Sequence, residues 1–504
     1  MKNFRALIIV VICSNFLVAC GAGSSSGSGS SSSSSDATVN PSPALIGYFT
    51  NWSIYGAKYQ PSNIPANVDE VNYAFFQVGD CDPARLGSEV APTCVSGGGQ
   101  PSMYTGTQDY KLHSIDPYSD FPPTYTNSAG YINYGGQSTL ARALYTGKKI
   151  ALSVGGFSTG TFIRNAIEPV NRPIFVSSIV QFMRDQEISA QNNTEPSIKN
   201  SNKFYGVDID WEPNGNYWTM PPQAVGNYQI QKTDLENFRL FLKDLKLQMK
   251  SAGYNKLSIT VTANPSVLQS VESTYGGGYW QAIATLGIEI RLMTYDYYAQ
   301  SWSGSCAFTG FNSPLNLVAA DPCNRDMSLS KSVNQLAVYG VPKAQIGVGV
   351  PAYGYAWSLT AANKALVTQG NPFVAFDSAS ATSVYNTLQS QSWTYRTIIT
   401  NYLYGVSQSV NSASLPQLTT WSAIATSADA LQTYATSLVQ GIAPAWISFT
   451  SPTNAYNLGK WARKEGLSGV MVWSLDGDVQ PGDSGITNWY ESSLIYNLYK
   501  GLAE

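Results

Sequence analysis

The sequence predicts an α/β fold, a closed (β/α)8 barrel. Its 504 residues exceed one small domain and suit a barrel with insertions. From Ala44 onward, short apolar runs alternate with helix-period patterns, as a parallel sheet wrapped by helices requires. Eight such runs precede the chain end, and eight strands with intervening helices close into a barrel.

The first residues concern export. Lys2 and Arg5 precede an apolar run, Ala6 to Val18, too short to span a bilayer. This is the pattern of a secretory signal peptide. It ends in Leu17-Val18-Ala19-Cys20, which resembles a bacterial lipobox, whose Cys becomes the lipidated first residue of the mature protein. An ordinary cleaved signal with a chance Cys is the alternative. The expectation is an exported bacterial protein, either secreted or held at the cell envelope by lipid on Cys20. Residues 21–43 are Ser- and Gly-rich, then Pro-containing, and read as a linker. Residues 44–504 form the folded region.

The strand candidates follow in order. The first is Leu45–Phe49, which carries Tyr48, and the second Val71–Phe76, which carries Phe75. A long polar stretch, Gly79 to Gly135, reads as a functional wall or lid. The third candidate, Lys149–Gly156, ends in a glycine pair that makes a turn or lets backbone approach a ligand. The helix after the fourth shows one apolar stripe, Leu235, Phe238, Leu242, Leu245 and Met249, with Asp234 as its expected N-cap. The remaining strands are Leu257–Ala263, Ile288–Asp296, Ile346–Pro351 and Gly469–Ser474.

The fourth strand, Phe204 to Glu212, is the informative one. Val207, Ile209 and Trp211 alternate with Asp208, Asp210 and Glu212, so the carboxyls share one face, about 6.6 Å between neighbouring Cα atoms. Such alternation also fits the wet face of an antiparallel strand. In a closed parallel barrel neither face is wet, and three acids would point into a packed interior at several kcal/mol per unpaired charge unless used. Like charges at that spacing hold a proton on at least one carboxyl, and a general acid must be protonated near neutrality.

Composition narrows the partners. Charged residues make up only 12% of the chain and the net charge is -3, which suits a neutral polymer and argues against nucleic acid. Aromatics reach 12%, which serves a large core or sugar-stacking surfaces equally well. The single histidine, His113, excludes a multi-histidine metal site and reads as an ordinary loop residue. Beyond the signal region four cysteines form two local pairs, Cys81/Cys94 and Cys306/Cys323. Export favours disulfides, and proximity favours the local pairing among three connectivities.

Asp208-x-Asp210-x-Glu212 resembles the D-x-x-D-x-D-x-E signature of family 18 glycoside hydrolases, the chitinases. Ser153-Val154-Gly155-Gly156 is similar to the family's S-x-G-G motif, and Met293-x-Tyr295-Asp296 to its M-x-Y-D motif. With Trp473, these motifs end at C-terminal strand ends, where barrel active sites lie. The resemblance runs from about Ile46 to Tyr499 and implies a small α+β insertion between the seventh and eighth strands, about residues 358–443.

The resemblance further implies roles. Glu212 protonates the leaving glycosidic oxygen, Asp210 bonds Glu212 or the substrate acetamide, and Asp208 shares a proton with Asp210. Tyr295 orients the acetamide, which is itself the nucleophile, so the product retains the β configuration. Trp473 forms the apolar floor under the sugar. Gly155, Gly156, Phe157, Ser158, Met293, Thr294, Asp296, Tyr48 and Phe75 line the binding site. The implied partner is chitin or its oligosaccharides, met by a monomer without cofactor or metal.

Three positions depart from the family: Tyr205 replaces the first acid of the signature, Pro213 follows the terminal acid, and Tyr355 stands where Arg is frequent. Residue 205 faces away from the acidic file, so its loss should alter packing or the pH profile. The rival readings are a chitin-binding lectin on the same barrel, an endo-β-N-acetylglucosaminidase acting on N-glycans, and an envelope anchor whose barrel is structural.

Overall fold

Closure of the sheet is what places the site. The computed structural model describes residues 43–78, 109–121, 138–156, 160–191, 203–212, 230–299, 306–359, 362–363, 366, 372–376, 393–400, 433–437 and 445–504. The signal peptide with Cys20, the linker up to residue 42, Cys81, Cys94, Phe157, Ser158, Pro213 and most of residues 360–443 lie outside the described residues.

The strands are β1 (Ala44–Thr50), β2 (Glu70–Val78), β3 (Leu112–Ser114), β4 (Lys149–Gly155), β5 (Gly206–Asp210) and β6 (Lys256–Thr262). They continue with β7 (Glu289–Met293), β8 (Ile346–Pro351), β9 (Tyr355–Ser358), β10 (Thr433–Ser437), β11 (Ala445–Phe449) and β12 (Gly469–Trp473). Eight of them form a ring, β1-β2-β4-β5-β6-β7-β8-β12, which closes because β12 pairs back onto β1. Every neighbour in the ring is parallel. The expected (β/α)8 barrel is therefore present. Between β8 and β12, β10-β11-β9 form a separate antiparallel sheet.

Two expectations about the strands need adjustment. The acidic stretch leaves the ladder at Asp210, and β7 stops at Met293, so Glu212 and Asp296 stand just beyond their strands. Loops at the mouth, free of ladder constraints, carry the last acids; Asp296 has φ 59°, which no strand residue adopts. His113 is not a loop residue. It lies in β3, opposite Gln77 of β2, with Nε2 3.0 Å from the Asp109 carboxylate.

The helix Lys232–Ala252 buries the expected stripe of Leu235, Phe238, Leu242, Leu245 and Met249. Asp234 is not its N-cap. It sits in the first turn, three residues after Gln231, whose backbone N–H it accepts at 2.8 Å. An acid there meets the unpaired N–H groups and positive dipole end of the helix. Gly253, at φ 91°, terminates the helix in the left-handed conformation that an L side chain resists.

The main core lies between barrel and helices. A second apolar cluster sits within the barrel: Ile46, Tyr48, Ala74, Phe75, Met293, Tyr295 and Met471. Cys306 and Cys323 are bonded, with Cα atoms 5.8 Å apart. Among the described residues no helix is long and apolar enough to cross a membrane.

Candidate active site

Alternation along β5 sorts its side chains between two buried environments. Trp211, the outward residue beyond the strand end, packs on Phe238 of the flanking helix with ring centroids 4.5 Å apart. The acids turn inward. Asp208 is 0% exposed, Asp210 4% and Glu212 5%. The three acids therefore occupy the interior rather than a wet sheet face.

Parallel register surrounds Asp208 with hydroxyls. Ser153 of β4 and Ser258 of β6 are its register neighbours. Ser258 Oγ donates to Oδ1 at 2.7 Å and Ser153 Oγ to Oδ2 at 3.0 Å. Tyr48 donates to Oδ2 at 2.8 Å, and Thr260 Oγ1 lies 3.1 Å from Oδ1. Arg291 Nη1 stands 3.9 Å from Oδ1. Hydrogen bonds to an ionised carboxylate favour the charged form, so this ring is built for an anion.

Asp210, one register step higher, lacks such support. Its Oδ1 is buried and meets no hydrogen-bond donor. Burial, then the charges of Glu212 and Asp208, push its carboxyl well above the usual range. Glu212 is pushed up to about 8, by burial first and by the Asp296 carboxylate second. Glu212 thus keeps its proton near neutrality, and a protonated carboxyl at the barrel mouth can act as a general acid.

Tyr295 and Asp296 follow β7. The Tyr295 ring presses on Gly349 of β8, where a Cβ would come within 2.5 Å of it. Asp296 Oδ1 accepts from the hydroxyls of Tyr353 and Tyr355, the latter at 2.8 Å, and Asn312 Oδ1 holds its backbone N–H at 2.7 Å. Tyr355, a departure from the family pattern, therefore serves Asp296. The Thr294 hydroxyl is engaged with β8: it donates to the Gly349 carbonyl at 2.6 Å and accepts the Gly349 N–H at 2.8 Å. Met293 belongs to the interior cluster.

Aromatic rings line the other side. Trp473 stacks on Phe75 at 5.5 Å and meets Tyr48 edge-on at 5.3 Å. Trp52, 42% exposed, lies 6.2 Å from Phe75 and extends this surface outward. Gly155 and Gly156 are packed against the acidic strand and Phe75. Tyr205 faces away from the acids, with the Lys149 ammonium 5.1 Å from its ring centre.

Sequence reasoning missed Ser258, Thr260, Arg291, Glu70, Asn72, Asn312, Tyr353 and Trp52. For the strand residues a signal existed: polar side chains at every second position of otherwise apolar strands, as in Glu70-x-Asn72, Ser258-x-Thr260 and Glu289-x-Arg291. Nothing local marks Asn312 or Tyr353, which come from loops distant in sequence.

A parallel eight-stranded barrel with an acidic file at its C-terminal mouth defines a class of glycoside-cleaving enzymes. The model of glycosyl hydrolases family 18 matches residues 44–478, and the chain belongs to that family. It is 25% identical over 465 residues to Chitinase 1 of Aphanocladium album, covering 88% of this chain and 84% of that protein. It is 26% identical over 336 residues to Chitinase A1 of Niallia circulans, covering 62% of this chain but only 42% of that protein. Among solved structures, a chitinase from Bacillus thuringiensis superposes with TM-score 0.60 at 20% identity, covering 92% of this chain and 70% of that one.

Proposed function

We propose that this protein is a chitinase that hydrolyses β-1,4-N-acetylglucosamine linkages with retention, through the substrate's own 2-acetamido group. The observation that carries the reading is the buried Glu212, pushed up to about 8 and placed above the Asp208–Asp210 file. The names of its family relatives support the substrate class.

Glu212 gives its proton to the glycosidic oxygen as the C1–O bond breaks. The acetamide oxygen attacks C1 from the other side and forms a cyclic oxazolinium ion. As the ring closes, Asp210 passes its proton to Asp208; the resulting carboxylate accepts the hydrogen bond of the acetamide N–H and offsets the positive charge, and the Tyr295 hydroxyl steadies the acetamide oxygen. Water then opens the ring at C1 and gives its proton to the Glu212 carboxylate, which resets the acid. Two displacements leave the anomeric configuration unchanged. Trp473 and Phe75 supply the apolar surface for the sugar face, with the buried Tyr48 ring packed against both.

The test is a product profile from N-acetylchitooligosaccharides with anomer analysis, run beside fully deacetylated oligomers. The expected result is a β-anomeric product from the acetylated series alone. Equal cleavage of both series removes acetamide participation; binding without turnover indicates a lectin. We further infer export, with lipid on Cys20, which metabolic labelling with palmitate and Cys20→Ala would check.

A further inference from the structure

Below Asp208 lies a buried ionic cluster that the proposed chemistry does not use. Arg291 of β7 is 0% exposed. Its guanidinium donates to Glu70 at the start of β2, to Glu289 Oε1 at 2.7 Å and to Asn72 Oδ1 at 3.1 Å. Lys256 pairs with Glu289 from β6. On β8 the position beside Arg291 is Gly347, where a Cβ would lie 3.1 Å from Arg291 Cγ, so an absent side chain gives the arginine its room.

A buried arginine with this many partners is costly to desolvate, and stability alone is a weak reason for it. Its placement is directional. Glu70 and Glu289 hold two sides of the guanidinium, and Nη1, which donates to Asn72 Oδ1 at 3.1 Å, stands 3.9 Å from Asp208 Oδ1. The other groups around Asp208 are hydroxyls: Tyr48 from β1, Ser153 from β4, Ser258 and Thr260 from β6. Tyr295 and Asp210 complete the shell of titratable groups, and β12 contributes the uncharged Met471 to the same interior. No cation other than Arg291 forms an ion pair with Asp208 among the described residues.

We infer that Arg291 is a positioning residue, which through Asp208 decides where the negative charge of the acidic file resides. With Arg291 in place Asp208 carries the charge, and the exchangeable proton is left to Asp210 and Glu212. Glu70 tunes this arrangement in the opposite sense, because its carboxylate draws the guanidinium's charge away from Asp208. Burial disfavours the anion at Glu289, yet Arg291 and Lys256 hold its carboxyl down at about 2, so the foundation stays ionised.

The inference rests on the chitinase reading for its kinetic arm only, so a second arm needs no substrate. Glu70→Gln removes one negative charge, and Arg291→Gln removes one positive charge. The acid limb of kcat/KM on N-acetylchitooligosaccharides should move down in Glu70→Gln and up in Arg291→Gln, each by roughly one pH unit. Carboxyl-carbon NMR titration of the aspartates should move in the same two directions. Arg291→Lys, which keeps the charge, should restore most of the wild-type position. A purely structural cluster would lower activity or stability without opposite shifts. If Arg291→Gln does not fold, Glu70→Gln decides alone, and unshifted titrations in it overturn the inference. A wild-type enzyme inert toward chitooligosaccharides would defeat the substrate reading and leave the titration arm standing.

Discussion

Gly155 lies so close to Asp210 that a Cβ on it would come within 1.9 Å of the Asp210 carbonyl oxygen. The same oxygen accepts the Gly156 N–H at 2.8 Å. The end of β4 is thereby clamped to the backbone of the strand that carries the acids. Gly155→Ala meets both a collision with main chain and a φ of 121° that side chains resist. The expected loss is at least about 2 kcal/mol of stability, with activity falling further. Denaturant melts beside rate measurements check this; a variant with wild-type stability contradicts the clamp.

Glu212→Gln separates fold from chemistry. The amide keeps the shape and cannot deliver a proton, so turnover of N-acetylchitooligosaccharides should fall about 10²- to 10⁴-fold. Wild-type turnover in this variant would remove Glu212 from the acid's role.

The same variant has a stability signature. Glu212 sits at about 8 in the folded chain against an ordinary 4.5, so the native state keeps a proton that the unfolded state releases. Its contribution is complete below about 4.5 and declines as pH rises to about 8, by an order of a few kcal/mol. Glu212→Gln should therefore melt higher than wild type at pH 8 and close to it at pH 4. Asp120, pushed up to about 7 by burial, adds a dependence of the same sign that the variant retains. A constant difference in melting temperature across this range would count against a protonated Glu212.

Tyr295→Phe tests the hydroxyl without moving the ring, since the contact with Gly349 is made by ring carbons. Turnover should drop about 10²-fold, as for loss of one transition-state donor, with the melting temperature nearly unchanged. Undiminished turnover would assign Tyr295 to packing.

The Cys306–Cys323 bond closes a loop of 17 residues. Loop-closure entropy at that length gives about 3 kcal/mol. Reduction, or Cys306→Ser with Cys323→Ser, should lower the melting temperature by several degrees. No change would mean that the loop is held by its other contacts.

The barrel was readable because parallel strands buried on both faces leave unbroken apolar runs, and β5 was readable because acids alternate with Val207, Ile209 and Trp211. Strand ends were less so: Glu212 and Asp296 lie past the ladder, and no residue type announces where pairing stops. Asp234 looked like a cap because cap preferences and first-turn preferences overlap for acids. The support of the site was least legible. Ser258, Thr260 and Arg291 matter through register across neighbouring strands, and register is a property of pairing that linear spacing does not carry. His113 shows the same limit: a three-residue edge strand has too little periodicity to be seen.

The hydroxyl ring around Asp208 draws Tyr48 from the first strand of the barrel, and that strand is pinned on one side by the last, β12. A nascent chain still lacking residues 469–473 has an open seam beside Tyr48. Competence to cleave sugar therefore cannot emerge gradually during synthesis. It arrives when the two ends of the ring meet, so the appearance of activity is a clock for closure of the barrel.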